Sequence, residues 1–158
     1  MERVKRALKW VKGVLEHAGF SYQLSGGLAA HAYGAKRPIA DIDIEVHDDA
    51  IHQLAPLLKD FTIEGPRRYK DESFDVLLLT LEYKGQKIDI SGIDSERVHD
   101  LRTNAWVETR ADLSKAVRRH VLGVTVPVIP EEKLEEYKKH TLRKVDRQDL
   151  KDVEAQRI

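Results

Sequence analysis

In the stretch 25–46, SGGLAAHAYGAKRPIADIDIEV, Asp41 and Asp43 stand two positions apart inside a run of strict polar and apolar alternation. Such alternation is the period of a strand, so Asp41, Asp43 and Glu45 share one face and Ile42, Ile44 and Val46 the other. Two carboxylates held roughly 6 to 7 Å apart on one pleated face repel each other unless a cation lies between them. They can share one divalent ion and reach a second about 3.5 to 4 Å away, the arrangement used for in-line displacement at phosphorus. Oxygen-only ligands select Mg2+ or Mn2+ over zinc. An Asp-x-Asp pair also occurs by accident on solvated strands, so its surroundings decide the reading. Gly26-Gly27, between a short strand and a short helix, lets the backbone approach a phosphate closely, and free N–H groups at a helix start favour an anion.

Other candidates lie further along the chain. The segment FDVLLLTLEYKGQKIDISG reads as a hairpin about Lys84-Gly85, because glycine there takes a positive φ at little cost. With those two residues as the loop, Tyr83 faces Gln86, Glu82 faces Lys87, Leu81 faces Ile88 and Thr80 faces Asp89. Leu77, Leu79, Leu81, Ile88 and Ile90 then form the apolar face, and Asp89 lies on the wetter one with Thr80, Glu82, Lys87 and Ser91. Near the C-terminus, Leu134, Lys138 and Leu142 are spaced by four, so Lys138 interrupts an apolar stripe. It either snorkels past Leu134 or meets an anion such as a nucleotide phosphate. Asp149 between Val145 and Val153, and the adjacent Arg143 and Asp146, read as a structural charge network. Arg37, in the loop before the motif strand, either steadies a triphosphate or lies on the surface. His31, one turn past Gly27, reads first as a packing histidine and second as a phosphate or acceptor contact. Glu45 supports the aspartate face from further along the strand.

The elements that must position these groups follow from periodicity. Val4, Leu8, Val11, Leu15 and Ala18 mark a helix over 2–18, ended by Gly19. FSYQLS is a strand, and 28–33 a short helix stopped by Gly34. Asp48 or Asp49 caps a helix to about Lys59 with Ile51, Leu54, Leu57 and Leu58 inward. EGPRRYKDES reads as a loop. The apolar residues of 94–123 are scattered, which predicts irregular structure and then a helix over 113–120. VTVPVI is a strand at an edge, because Pro127 cannot donate to a ladder. Pro130 opens a final helix with Glu131 and Glu132 in its first turn. The sum is an α+β chain, a small mixed sheet flanked by helices, with 1–158 forming a single domain.

Composition removes several function classes. Lys plus Arg and Asp plus Glu balance at 27 each, so no overall basic field exists to grip long nucleic acid. Without cysteine there is neither a disulfide framework nor a zinc–thiolate site. No signal peptide and no apolar run of bilayer length can be read, which predicts a cytoplasmic chain with no membrane partner.

The segment GGLAAHAYGAKRPIADIDI, with KIDIS and EYKKHTLRKVDRQDL after it, resembles the nucleotidyltransferase superfamily typified by DNA polymerase β. That superfamily carries a Gly-Gly or Gly-Ser turn, a helix, then a strand bearing Asp-x-Asp. The likeness is greatest to its small-molecule branch, which includes lincosamide and aminoglycoside nucleotidyltransferases, and to their prokaryotic relatives. It spans roughly residues 20 to 153. The matching residues are Gly26, Gly27, Arg37, Asp41 and Asp43, with Asp89 as a third carboxylate. The resemblance implies a polymerase β-like fold in which an NTP, ATP foremost, enters with magnesium. The NTP gives its nucleoside monophosphate to an acceptor hydroxyl and releases pyrophosphate. Asp41 and Asp43 would hold the metals, Asp89 would bind the acceptor-side metal and assist removal of the hydroxyl proton, and Gly26, Gly27, Arg37 and Lys138 would serve the nucleotide. A small molecule, a protein hydroxyl or an RNA end could accept, and the neutral charge balance favours the first two. The alternative is a non-catalytic nucleotide-binding or antitoxin-type partner of the same fold, against which three retained carboxylates argue.

Overall fold

The computed structural model describes residues 1–157. Five helices flank one mixed sheet. The helices are α1 (Glu2–His17), α2 (Gly26–Ala32), α3 (Asp48–Leu57), α4 (Glu131–Thr141) and α5 (Lys144–Ala155). The strands are β1 (Gln23–Ser25), β2 (Ile42–Val46), β3 (Thr62–Lys70), β4 (Phe74–Tyr83), β5 (Gln86–Gly92), β6 (Arg97–Asp100), β7 (Ala105–Glu108), β8 (Val117–Val121) and β9 (Val124–Val128). They run in the order β7-β6-β4-β5-β2-β1-β9-β8, with β3 added to β4. Parallel pairs join β2 to β5 and β1 to β9; the other ladders are antiparallel.

Alternation divides the central strands into two chemistries. Ile42, Ile44, Leu79, Leu81, Ile88 and Ile90 are fully buried on one face, where Val4, Leu8, Val11 and Leu15 of α1 and Ile51 and Leu54 of α3 complete the core. The opposite face carries the acidic groups. The β4–β5 hairpin turns at Lys84-Gly85 with the register counted from the sequence, including Thr80 opposite Asp89.

Several expectations are corrected. EGPRRYKDES is not a loop: most of it belongs to β3, whose charges are tolerated because it is an edge strand paired only to β4. Residues 113–120 are not a helix but a short 3-10 turn (Leu113–Lys115) followed by β8. Residues 97–108 form a second hairpin. β9 is interior, not an edge, since β8 covers it. The two-residue Leu122-Gly123 turn makes 121–124, 119–126 and 117–128 the hydrogen-bonded pairs, so Pro127 falls where its missing N–H points away from β8. Leu57 is exposed rather than inward, while Leu58 is buried. The cap of α3 is His47, and neither Asp48 nor Asp49 caps it. The C-terminal helix is two helices, broken where Leu142 takes φ +43.

Candidate functional site

The polar face of β2 and β5 opens into a cavity of about 700 Å³ walled by β3, β4, α4 and the starts of α2 and α5. Asp41, Asp43 and Asp89 all line it. Parallel pairing sets Asp43 directly opposite Asp89, and Glu45 opposite Ser91. Asp41 sits one pleat before Asp43, just outside β2. The mutual repulsion anticipated from their spacing is felt: burial, then Asp89, then Asp41 push Asp43 up to about 7. Burial likewise raises Asp89, against the opposing pull of Thr80 and Lys87. Thr80 Oγ1 donates to Asp89 Oδ1 at 2.8 Å. The ammonium of Lys87 lies between two of the acids, 3.9 Å from Asp41 Oδ2 and 4.0 Å from Asp89 Oδ2. Among the described residues no three His, Cys, Asp or Glu side chains close into a ready-made metal cage. The three aspartates share a cavity wall without converging on one point.

Gly26 and Gly27 meet this wall by close approach. Gly26 has φ +62, and a Cβ there would collide with the Asp43 carboxylate. A Cβ on Gly27 would come within 2.7 Å of Arg37 Nη2. Gly26 is therefore required by its positive φ and by the Asp43 side chain already present, whereas at Gly27 only the end of the Arg37 side chain would have to give.

Arg37 and Lys138 converge on one buried acid. Arg37 Nε and Nη2 donate to Asp149 Oδ1 and Oδ2 at 2.8 and 3.0 Å. Lys138 Nζ lies 3.0 Å from Asp149 Oδ2 and 3.4 Å from Asp146 Oδ1. Asp146 is also held by Arg143 and by Thr141 Oγ1, the latter at 2.6 Å, and against the effect of burial these contacts keep it below the usual carboxylate range. Lys138 is thus turned inward, 5% exposed, and held by anions of the protein itself. Asp149, Asp146 and Arg143 form the charge network that their spacing suggested. Arg37, Lys138 and Arg143 nonetheless line the cavity opposite the aspartates, three cations against two carboxylates of their own network. His31 does not line it.

Sequence reasoning missed several cavity residues. Lys87 was legible from the hairpin register. Arg67 and Tyr69 were hidden in the supposed loop, and Arg143, which stacks over Phe74 at 4.9 Å, was read only as a structural partner. Glu96 lay in the stretch without periodicity. Gln23 Nε2 donates to Glu45 Oε1 at 2.7 Å, and burial pushes Glu45 up to about 7. Burial and then the Glu45 carboxylate raise Glu96 well above the usual range.

A family model described as aminoglycoside-2''-adenylyltransferase matches residues 7–153. No protein of curated function matches the chain. Among solved structures, TM1012 from Thermotoga maritima has a TM-score of 0.71 at 19% identity, covering 98% of this chain and 90% of its own. The lincosamide antibiotic adenylyltransferase LnuA, bound to lincomycin, has a TM-score of 0.63 at 19% identity over 95% and 96%. ANT(2'')-Ia in complex with adenylyl-2''-tobramycin has a TM-score of 0.58 at 15% identity over 96% and 93%. These likenesses give the fold: an α+β nucleotidyltransferase architecture.

Proposed function

Because the chain belongs to the aminoglycoside-2''-adenylyltransferase family and is a nucleotidyltransferase, we propose that it moves a nucleoside monophosphate from ATP or another NTP onto a hydroxyl of a small-molecule acceptor. The observation that carries this reading is the presence of Asp41, Asp43 and Asp89 on one cavity wall, with the Gly26 backbone packed against Asp43. The cavity volume of about 700 Å³ is within the range of small-ligand sites. The two antibiotic-bound relatives of this fold support an acceptor of that size.

The donor set fits magnesium or manganese. All three groups are oxygen donors on one cavity wall, and magnesium keeps much of its water and binds through only one or two carboxylates. Asp41 and Asp43 would hold the metal, with Asp89 reserved for the ion on the acceptor side, and when bound the metal would neutralise charge building on the α-phosphate and the leaving oxygen.

The other roles belong to the chain. Gly26 and Gly27 present backbone to the triphosphate, and Arg37, Lys138 and Arg143 supply positive potential on its side of the cavity. Asp89, oriented through Oδ1 by Thr80, receives the acceptor hydroxyl proton at Oδ2 as the new O–P bond forms and the bond to pyrophosphate breaks. Its raised basicity suits that task. The test is incubation with α-labelled NTPs, magnesium and a lysate. Label should move to a small metabolite, and Asp43→Asn should abolish the transfer while keeping the fold. Label that stays on NTP with every acceptor fraction, or passes to RNA, would refute the reading.

A further inference from the structure

Lys87 stands two residues before Asp89 on β5, and the pleat gives both side chains the same face. Its cross-strand neighbour on that face is Glu82, an exposed carboxylate well placed to pair with it. Among the described residues no ion pair joins the two. The ammonium turns into the cavity instead, 3.9 Å from Asp41 Oδ2 and 4.0 Å from Asp89 Oδ2. Neither distance is that of a hydrogen bond, so the charge sits between the two carboxylates without being bonded to either. The side chain is 49% exposed, which leaves attraction to the acids, and not packing, as what holds it there.

The other cations of the cavity are engaged elsewhere. Arg37 and Lys138 pair with Asp149, Arg143 with Asp146, and Arg67 with Glu64. Among the described residues, Lys87 alone forms its ion pairs with the aspartates of the site. Asp89 responds to it: burial raises that carboxyl, and Thr80 and then Lys87 oppose the rise. A lysine ammonium is a compact point charge on a flexible stem, so it can fill the gap between two acids and also leave it. It cannot share that gap with a second cation, because like charges at such range repel strongly.

We propose that Lys87 is a built-in counter-ion, occupying the acceptor-side cation position between Asp41 and Asp89 in the free protein and giving up that place when a divalent ion binds. This rests on the transferase reading above and adds to it how the site is kept while idle. Asp89 Oδ2, the atom assigned to receive the acceptor proton, stays screened by the ammonium until Lys87 leaves. The free protein thus answers the repulsion among its acids without metal, and divalent ions bind it weakly.

The test is Mn2+ binding to the nucleotide-free full chain, followed by loss of the free-ion signal in electron paramagnetic resonance. Lys87→Met keeps a long stem and removes the charge, so it should bind Mn2+ about tenfold more tightly than the wild type. Lys87→Arg keeps the charge and should bind Mn2+ within about threefold of the wild type. Equal affinity in the wild type and Lys87→Met, or weaker binding in Lys87→Met, would overturn the proposal. So would a gain in Lys87→Arg as large as that in Lys87→Met, since it would assign the effect to the stem rather than the charge. If all three proteins bind Mn2+ with one affinity and the wild type transfers label from an α-labelled NTP, only the proposal falls. If none takes up Mn2+, the proposal falls, and the transferase reading falls with it where label transfer fails as well.

Discussion

Replacing Asp43 with Asn should make the ligand-free protein more stable, not less. In the native state the Asp43 carboxyl titrates at about 7, raised by burial, Asp89 and Asp41, against 3.8 as its ordinary value. A group whose native pKa is raised favours the folded state most at low pH, below the ordinary value. That contribution drains away as pH rises, because the unfolded chain releases the proton first, and the loss is complete once pH passes the native value. The window here runs from about pH 4 to about pH 7. Each pKa unit corresponds to about 1.4 kcal/mol, so the full difference sets a ceiling of about 4 kcal/mol on the penalty at pH 8, and water in the open cavity reduces it to about 2. Asn has the same shape and no charge.

Urea unfolding of both proteins at pH 5 and pH 8, in chelator, measures this directly. At pH 8 Asp43→Asn should gain about 2 kcal/mol, and at pH 5 clearly less. The wild type should lose stability between those pH values more steeply than the variant. The variant keeps some slope, because Asp89, Glu45 and Glu96 are raised in the same direction. Magnesium should then stabilise the wild type at pH 8 more than the variant, since only the wild type keeps the carboxylate pair on β2. A variant that is less stable at pH 8, or a gain that does not depend on pH, would refute the argument that these acids strain the fold.

Lys138→Met should cost about 3 kcal/mol in urea unfolding, because it removes one partner from a buried ionic network around Asp149 and Asp146, besides weakening binding of NTP with magnesium in calorimetry. Gly26→Ala should cost about 1 to 2 kcal/mol from the positive φ alone and more from displacing Asp43, with nucleotide affinity lost alongside. Asp100 is held down to about 2, first by the His140 Nδ1 contact at 2.8 Å, so its contribution is present above the ordinary value and lost as pH falls through about 2. Asp100→Asn should therefore flatten the acid limb of stability between pH 4 and 2. Duplex DNA should bind weakly at moderate salt in an anisotropy titration, as the even charge balance requires.

The acidic half of the site was legible because it rests on short-range rules. The period of two put Asp41, Asp43 and Glu45 on one face, and the loop length of a single hairpin fixed Thr80 against Asp89. What could not be read is the pairing of β2 with β5 in parallel, which sets Asp43 opposite Asp89. Nothing local to either strand encodes it. The cationic half was legible only in part. The spacing of Lys138 showed that it turns inward, but the partner it finds, Asp149, arrives from a second helix after a left-handed break at Leu142, a residue type that rarely adopts that conformation. β3, β7 and β8 escaped because an edge strand needs no apolar face, so their charges look like those of a loop, and the interior β6 has only four residues, too few to show a period.

The misread strands and the cavity have one physical cause. A sheet face that carries Asp41, Asp43, Glu45, Asp89 and Ser91 cannot close over an apolar layer, so whatever covers it must be polar and incomplete. β3 supplies Arg67 and Tyr69 from one side, and α4 and α5 supply Lys138 and Arg143 from the other. Each covering element then departs from the pattern that would have revealed it: β3 carries charge where a strand carries valine, and α4 places a lysine in its apolar stripe. Local rules and the fold agree on the Ile42 side of β2 and disagree on the Asp43 side, as expected where a protein gives up stability for a site.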